Sequence, residues 1–154
     1  MLVLLTLANG IPVIIKDILN DRFASPIDGG AKFFDGRPFF GSSKTFRGII
    51  LSILVTSAFA HLIGPSWKIG ALVASVAMAG DLFSSFVKRR MNLPAGGKAT
   101  GLDQIPESLF PLLACRSALS LTALDISVGV VIFFVGELLV SRLLYHFHLR
   151  EHPY

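Results

Sequence analysis

An all-α fold, a polytopic membrane helix bundle, is what this sequence predicts, and three observations predict it. The mean hydropathy is +0.68 and 53% of the 154 residues are hydrophobic, which is too apolar for an ordinary soluble domain. Charged residues make up 16%, against roughly a quarter in soluble proteins. Apolar segments of about bilayer-crossing length recur along the chain, separated by polar loops. The length suits one domain, expected to occupy 1–154 as a single integral membrane unit.

About five transmembrane helices follow. The first is expected over Met1 to Ile15, short and carrying Asn9, Gly10 and Pro12. It lacks the basic start and small-residue cleavage site of a signal peptide. The second runs from Ile49 to about Ile63 and the third from about Trp67 to Val87. The fourth, about Ile105 to Leu121, is marginal because Glu107 and Arg116 interrupt it. The fifth, about Ile126 to Tyr145, has Glu137 as its interior charge. Cys115 is the single cysteine, so no intrachain disulfide can form, and its apolar setting makes it a small core residue. His61 and Trp67 read as interface anchors, and so do His146, His148 and His152 near the C-terminus.

Positive charge orients this stack. With 16–47, 88–104 and the C-terminal tail on one side, all of the 14 Lys and Arg except Lys68 and Arg116 fall there. The positive-inside rule makes that side the cytosol, and the membrane is expected to be the inner (plasma) membrane.

Two cytosolic loops therefore hold most of the chemistry. One reads PIDGGAKFFDGRPFFGSSKTFRG, Pro26 to Gly48; the other reads GDLFSSFVKRRMNLPAGGKATGLDQ, Gly80 to Gln104. The first mixes phenylalanines with charges, so it should lie at the membrane interface or pack back onto the helices. In the second, Asp81, Ser84, Ser85 and Lys88 have helical spacing and share a face. An Asp in an apolar helix costs about 2.5–3.5 kcal/mol at mid-bilayer, which marks Asp81 as a functional candidate. Carboxylates among many cations and glycines suit a metal–phosphate site: Asp oxygens hold Mg²⁺, Lys and Arg neutralise phosphate, and Gly lets backbone N–H groups approach. GSSKT at 41–45 and GGKAT at 96–100 do not satisfy the P-loop pattern, and neither follows a strand.

The two loops resemble those of the CDP-archaeol synthases, small membrane cytidylyltransferases distantly related to phosphatidate cytidylyltransferases. The resemblance runs through NGIPVI at 9–14, PIDGG at 26–30, FFDGRPFFG at 33–41, KTFRG at 44–48, GD at 80–81, SFVKRR at 85–90 and LDQ at 102–104, to the terminal PY. The chain has Phe46 where the archaeal pattern has Trp. The resemblance implies that CTP and a lipid phosphate, with Mg²⁺, give a CDP-activated lipid and pyrophosphate. It implies Asp81 and Asp103 as metal carboxylates, with Lys88, Arg89, Lys44 and Arg47 completing the catalytic set. Arg90, Lys98, Gly96, Gly97 and Gly101 are then candidates for holding CTP, and Asp28, Asp35 and Arg37 for shaping the loop or orienting the lipid headgroup. The implied partners are CTP and a membrane lipid phosphate, with no nucleic acid; the oligomeric state is left open, a homo-oligomer being compatible with the sequence. A transporter or a non-catalytic scaffold is the alternative. A transporter would spread polar residues through the full depth, with Asp81, Arg116 and Glu137 lining a path. Here polarity concentrates on one side.

Overall fold

The structure is a computed structural model that describes residues 1–20, 22–97 and 99–146, with side chains described through 143. The side chains of Lys98, His146, His148 and His152 and the terminal PY lie outside them. Among the described residues there are five helices and no strand beyond two isolated bridges. The helices are α1 (Leu2–Leu19), α2 (Phe46–Ile63), α3 (Trp67–Arg90), α4 (Gln104–Ala114) and α5 (Ala123–His146). Four of them, α1, α2, α3 and α5, are long and apolar enough to cross a membrane.

α1 continues past its expected end at Ile15 to Leu19, carrying Lys16 and Asp17 exposed on its last turn. Pro12 lies inside it. A proline has no N–H, so the carbonyl four residues back, that of Ala8, loses its helical partner. Ser52 of α2 donates its hydroxyl to that carbonyl at 2.6 Å, a replacement that matters where no water is at hand. α2 begins at Thr45, whose hydroxyl accepts the Gly48 N–H, and α3 begins at Ser66, which accepts that of Lys68. The two helices cross closely at Gly70. A Cβ there would lie 2.6 Å from Ala60 Cβ and 2.7 Å from the Thr56 carbonyl. Small buried residues at Ser52, Thr56 and Ala60 line the same face of α2.

The fourth segment departs from expectation. Instead of a span over 105–121, the helix ends at Ala114 after 11 residues, about 16 Å, or half a bilayer core. Pro111 lies inside it, and beyond Cys115 the chain runs in hydrogen-bonded turns, Leu119 N–H to Cys115 and Leu121 N–H to Arg116. α5 then starts three residues earlier than expected. Thr122 and Asp125 cap it reciprocally: Asp125 accepts from the Thr122 N–H and hydroxyl, and the Thr122 hydroxyl accepts the Asp125 N–H. Glu137 of α5 comes electrostatically close to Glu107 of α4, whereas Arg116 is exposed beyond the end of α4.

The apolar core gathers Leu4, Leu5 and Ala8 of α1, Ala60 of α2, Val73, Ala74 and Ala77 of α3, Leu112, Cys115, and Ile126 and Phe133 of α5. Cys115 is fully buried within it. On α3 this core stops at Met78; beyond it the buried residues are Gly80, Ser84, Ser85, Lys88 and Arg89. One helix thus passes from an apolar to a polar interior along its length. α4 packs against that polar half, its backbone touching α3 at Gly80.

Candidate active site

The site is built on the last three turns of α3. The face carrying Asp81, Ser84, Ser85 and Lys88 points inward, where both loops and α4 meet it. Ser84 donates to the Leu102 carbonyl at 2.7 Å as well as to its own helix at Gly80. Lys88 Nζ lies 2.6 Å from Asp103 Oδ1 and 2.9 Å from the Gly97 carbonyl. These bonds fasten the second loop along α3. Asp103 therefore stands beside Ser84–Lys88, one to two turns, roughly 5–10 Å, further along the helix than Asp81. The other Asp103 oxygen accepts the Ala99 N–H at 3.0 Å. Oδ1 meets Lys88 as an ion pair and has no aligned hydrogen bond.

Asp81 is gripped from two sides. Lys44 of the first loop reaches both of its oxygens, at 2.5 and 2.6 Å. From α4, the buried Glu107 carboxyl lies close to it. Two carboxyl groups this close suit a shared cation.

The first loop is ordered by its own hydrogen bonds. Ile27 N–H donates to Lys44 and Phe46 N–H to Ser25, which closes the loop at its neck and aims Lys44 at α3. Asp28 accepts the N–H groups of Phe40 and Gly41 on one oxygen and that of Gly30 on the other. Partial burial raises its pKa, but the three N–H bonds outweigh this and leave it below the ordinary 3.8. Because the folded value lies below the unfolded one, Asp28 contributes stability at pH above 3.8, and that contribution is lost as pH falls through the folded value. Hydrogen exchange at Phe40 and Gly41, corrected for intrinsic rate, should show protection at neutral pH that fades only below pH 3.8. Protection already lost near pH 5 would contradict this.

The same loop is stapled to the end of α3 by two arginines working in opposite directions. Arg90 pairs with Asp35 at 2.7 Å, donates to the Pro38 carbonyl and lies over the rings of Phe33 and Phe86, 4.8 and 4.9 Å from their centroids. Arg37 donates to the carbonyls of Arg89 and Arg90. Phe33 packs edge-on against Phe39 and Phe86. The loop thus packs back onto the helices, one of the two expected placements. Gly41 is where the loops touch: a Cβ there would lie 3.0 Å from Ala95 Cβ, and its φ is +90°.

Of the residues singled out in the sequence, the structure brings Lys44 to Asp81 and Lys88 to Asp103, with Arg89 electrostatically linked to Asp103. Arg89 is 5% exposed and its Nε has no hydrogen-bond partner. It lines an open cavity of about 200 Å³ with Arg37, Asn92 and Pro94. Gly96 and Gly101 adopt positive φ, +77° and +87°, in the loop that carries Asp103. Gly97 presents its carbonyl, not its N–H, to Lys88. Arg47 does not join the cluster: its guanidinium donates to the carbonyls of Arg22 and Asn20. Asp28, Asp35, Arg37 and Arg90 are engaged in holding the loop. Glu107 is the residue that sequence reasoning missed, read there as an interruption of a span. Its signal was present, since a carboxyl inside an apolar segment marks function.

Among the described residues no three His, Cys, Asp or Glu side chains form a metal-holding group. The donors still suit a divalent cation that takes its remaining ligands from phosphate: the carboxyl pair Asp81–Glu107 and the unaligned Oδ1 of Asp103.

Comparison with known proteins gives a consistent family. A family model described as CarS-like CDP-archaeol synthase matches residues 65–154. The CDP-archaeol synthase of Sulfurisphaera tokodaii is 33% identical over 153 residues, covering 96% of this chain and 89% of the relative. That of Hyperthermus butylicus is 39% identical over 117 residues, covering 72% and 67%. A solved structure described as an intramembrane enzyme for archaeal membrane lipids biosynthesis superposes with a TM-score of 0.70 at 27% identity, covering 90% of this chain and 91% of that one.

Proposed function

Because the chain belongs to the CarS-like CDP-archaeol synthase family, we propose that the polar end of α3 is where it transfers a cytidylyl group from CTP to a membrane lipid phosphate. The observation that carries this placement is the convergence of Lys44, Asp81, Glu107, Lys88 and Asp103, from two loops and two helices, on one face of α3. The protein is a cytidylyltransferase of the membrane; its products are a CDP-activated lipid and pyrophosphate. The site faces the cytosol, where CTP is available, and the membrane is the plasma membrane. The lipid is the diether glycerol phosphate of the archaeal family.

In this reaction an oxygen of the lipid phosphate attacks the α-phosphorus of CTP, and the bond to the β,γ-pyrophosphate breaks. The attacking oxygen is already ionised near neutral pH, so the protein needs no Ser, Cys or His nucleophile. Its tasks are in-line positioning and neutralisation of charge. Arg89, buried and with no ion pair among the described residues, is suited to the triphosphate, and the cavity beside it admits the nucleotide from the cytosol. Lys44 and Lys88 supply mobile positive charge on either side. Asp81 with Glu107, and Asp103 further along α3, would each offer carboxylate oxygens to Mg²⁺, which would take its remaining ligands from phosphate. The ion supplies charge stabilisation for the leaving pyrophosphate. Arg47, Arg90 and the Asp28–Arg37 segment keep Lys44 in place.

Membranes holding the protein, given labelled CTP, Mg²⁺ and a panel of diether and diacyl lipid phosphates, should form labelled CDP-lipid, with the diether preferred. If no lipid phosphate in the panel yields CDP-lipid, the reading is overturned.

A further inference from the structure

Two of the carboxylates assigned to the metal, those of Asp81 and Asp103, are already occupied by lysines. Lys44 Nζ sits across the two oxygens of Asp81, as a bound cation would. Lys88 Nζ lies against Asp103 Oδ1, the oxygen that has no aligned hydrogen bond. These contacts are well shielded: the side chains are 22% and 16% exposed in the first pair, 8% and 17% in the second. An ammonium this close to a carboxylate competes with a divalent ion for it: it takes up lone pairs the ion would need at about 2.1 Å, and the like charges repel.

We propose that Lys44 and Lys88 are the resident counter-ions of the metal carboxylates, released to a divalent cation only when an incoming triphosphate draws the two ammoniums onto itself. The inference rests on the proposed site and adds its order of assembly. Lysine suits the exchange because its charge rides on a flexible stem and accepts any anion within reach. Lys88 has a further anchor at the Gly97 carbonyl, so its release would also loosen the loop between Gly97 and Asp103. The lone divalent ion meets carboxylates already neutralised and binds weakly. With the triphosphate present it meets free ones. Linkage makes the effect reciprocal, so the metal must raise nucleotide affinity by the same factor.

Mn²⁺ binding to the full chain in detergent, followed by loss of the free-ion EPR signal, tests this without turnover. Wild type should bind Mn²⁺ alone weakly. Lys44→Met and Lys88→Met, which remove the competing charge, should each bind Mn²⁺ alone at least tenfold more tightly. Lys44→Arg, which keeps the charge, should stay weak. CTP affinity of the wild type, measured by calorimetry on ice without lipid, should rise at least tenfold with saturating Mn²⁺. The inference is overturned if wild type holds Mn²⁺ alone as tightly as the methionine variants do. If Lys44→Met fails to fold, judged by size exclusion, Lys88→Met and the wild-type calorimetry decide. The two levels fail differently. Tight Mn²⁺ binding to wild type that Asp81→Asn abolishes removes the counter-ion role and leaves the site standing. No Asp81-dependent Mn²⁺ binding under any condition removes the site itself.

Discussion

Asp81→Asn should insert and fold yet lose CDP-lipid formation by a hundred- to a thousandfold, or about 2.7–4 kcal/mol of transition-state stabilisation. The substitution keeps the shape of the side chain and its capacity to accept from Lys44, but removes the charge that holds Lys44 and that, in the proposed site, would hold the metal. kcat should fall more than the KM for CTP rises, since Arg89 and Lys88, the residues proposed to meet the nucleotide, are unchanged. Asp103→Asn should behave similarly. It adds a structural cost, because with its oxygen kept on the Ala99 N–H its amide NH2 must face the Lys88 ammonium. Near-normal turnover of Asp81→Asn, assayed with labelled CTP in membranes, would remove this residue from the site.

Gly80→Ala should be the second severe change, and for a different reason. A Cβ at Gly80 would lie 2.5 Å from the Pro106 carbonyl oxygen, 2.7 Å from its carbon and 3.0 Å from the Glu107 nitrogen. All three are backbone atoms, so no side chain can rotate away and α4 must shift. Overpacking of this kind costs about 1–3 kcal/mol, to be read as a lower midpoint of thermal unfolding in detergent. The shift moves Glu107 and Asp103 relative to Asp81, and displacement of about 1 Å can cost on the order of 10² in rate. Gly70→Ala, with equally close contacts at 2.6–2.8 Å but far from the site, is the control. It should lower stability without a comparable loss of turnover per folded molecule. Equal loss in both variants would show that Gly80 acts through stability alone.

Much of this architecture was legible because membrane spans and helical faces are local patterns. The spacing of Asp81, Ser84, Ser85 and Lys88 places them on one face whatever surrounds them, and the structure buries Ser84, Ser85 and Lys88 there. The reach of Lys44 was a sound expectation for a residue next to the start of a span. What that residue meets depends on pairing across 37 positions, which no local pattern encodes. The same applies to Arg47, whose neighbouring position suggested the same pocket while its guanidinium turns to the carbonyls of Arg22 and Asn20. The fourth segment was misjudged in length because hydropathy averages over Pro111 and the turns beyond Cys115. Glu107 was seen as an interruption, since its significance lies in the Asp81 carboxyl contributed by another helix. The role of Ser52 was likewise hidden: only a folded pair of helices shows that Pro12 orphans a carbonyl and that a serine answers it.

Asp81 stands seven residues before Lys88 on α3, about 10 Å nearer the middle of that membrane-length helix, which in the proposed orientation sets it below the headgroups. The consequence is kinetic. A substrate whose reactive phosphate is met at this depth never has to leave its leaflet, so the cost of about 0.8 kcal/mol per methylene for withdrawing its tails into water does not arise. Encounter then becomes diffusion in a plane, governed by mole fraction of the lipid within the leaflet. Diluting that lipid with inert bilayer should slow the enzyme at constant bulk concentration, whereas adding more vesicles of fixed composition should not.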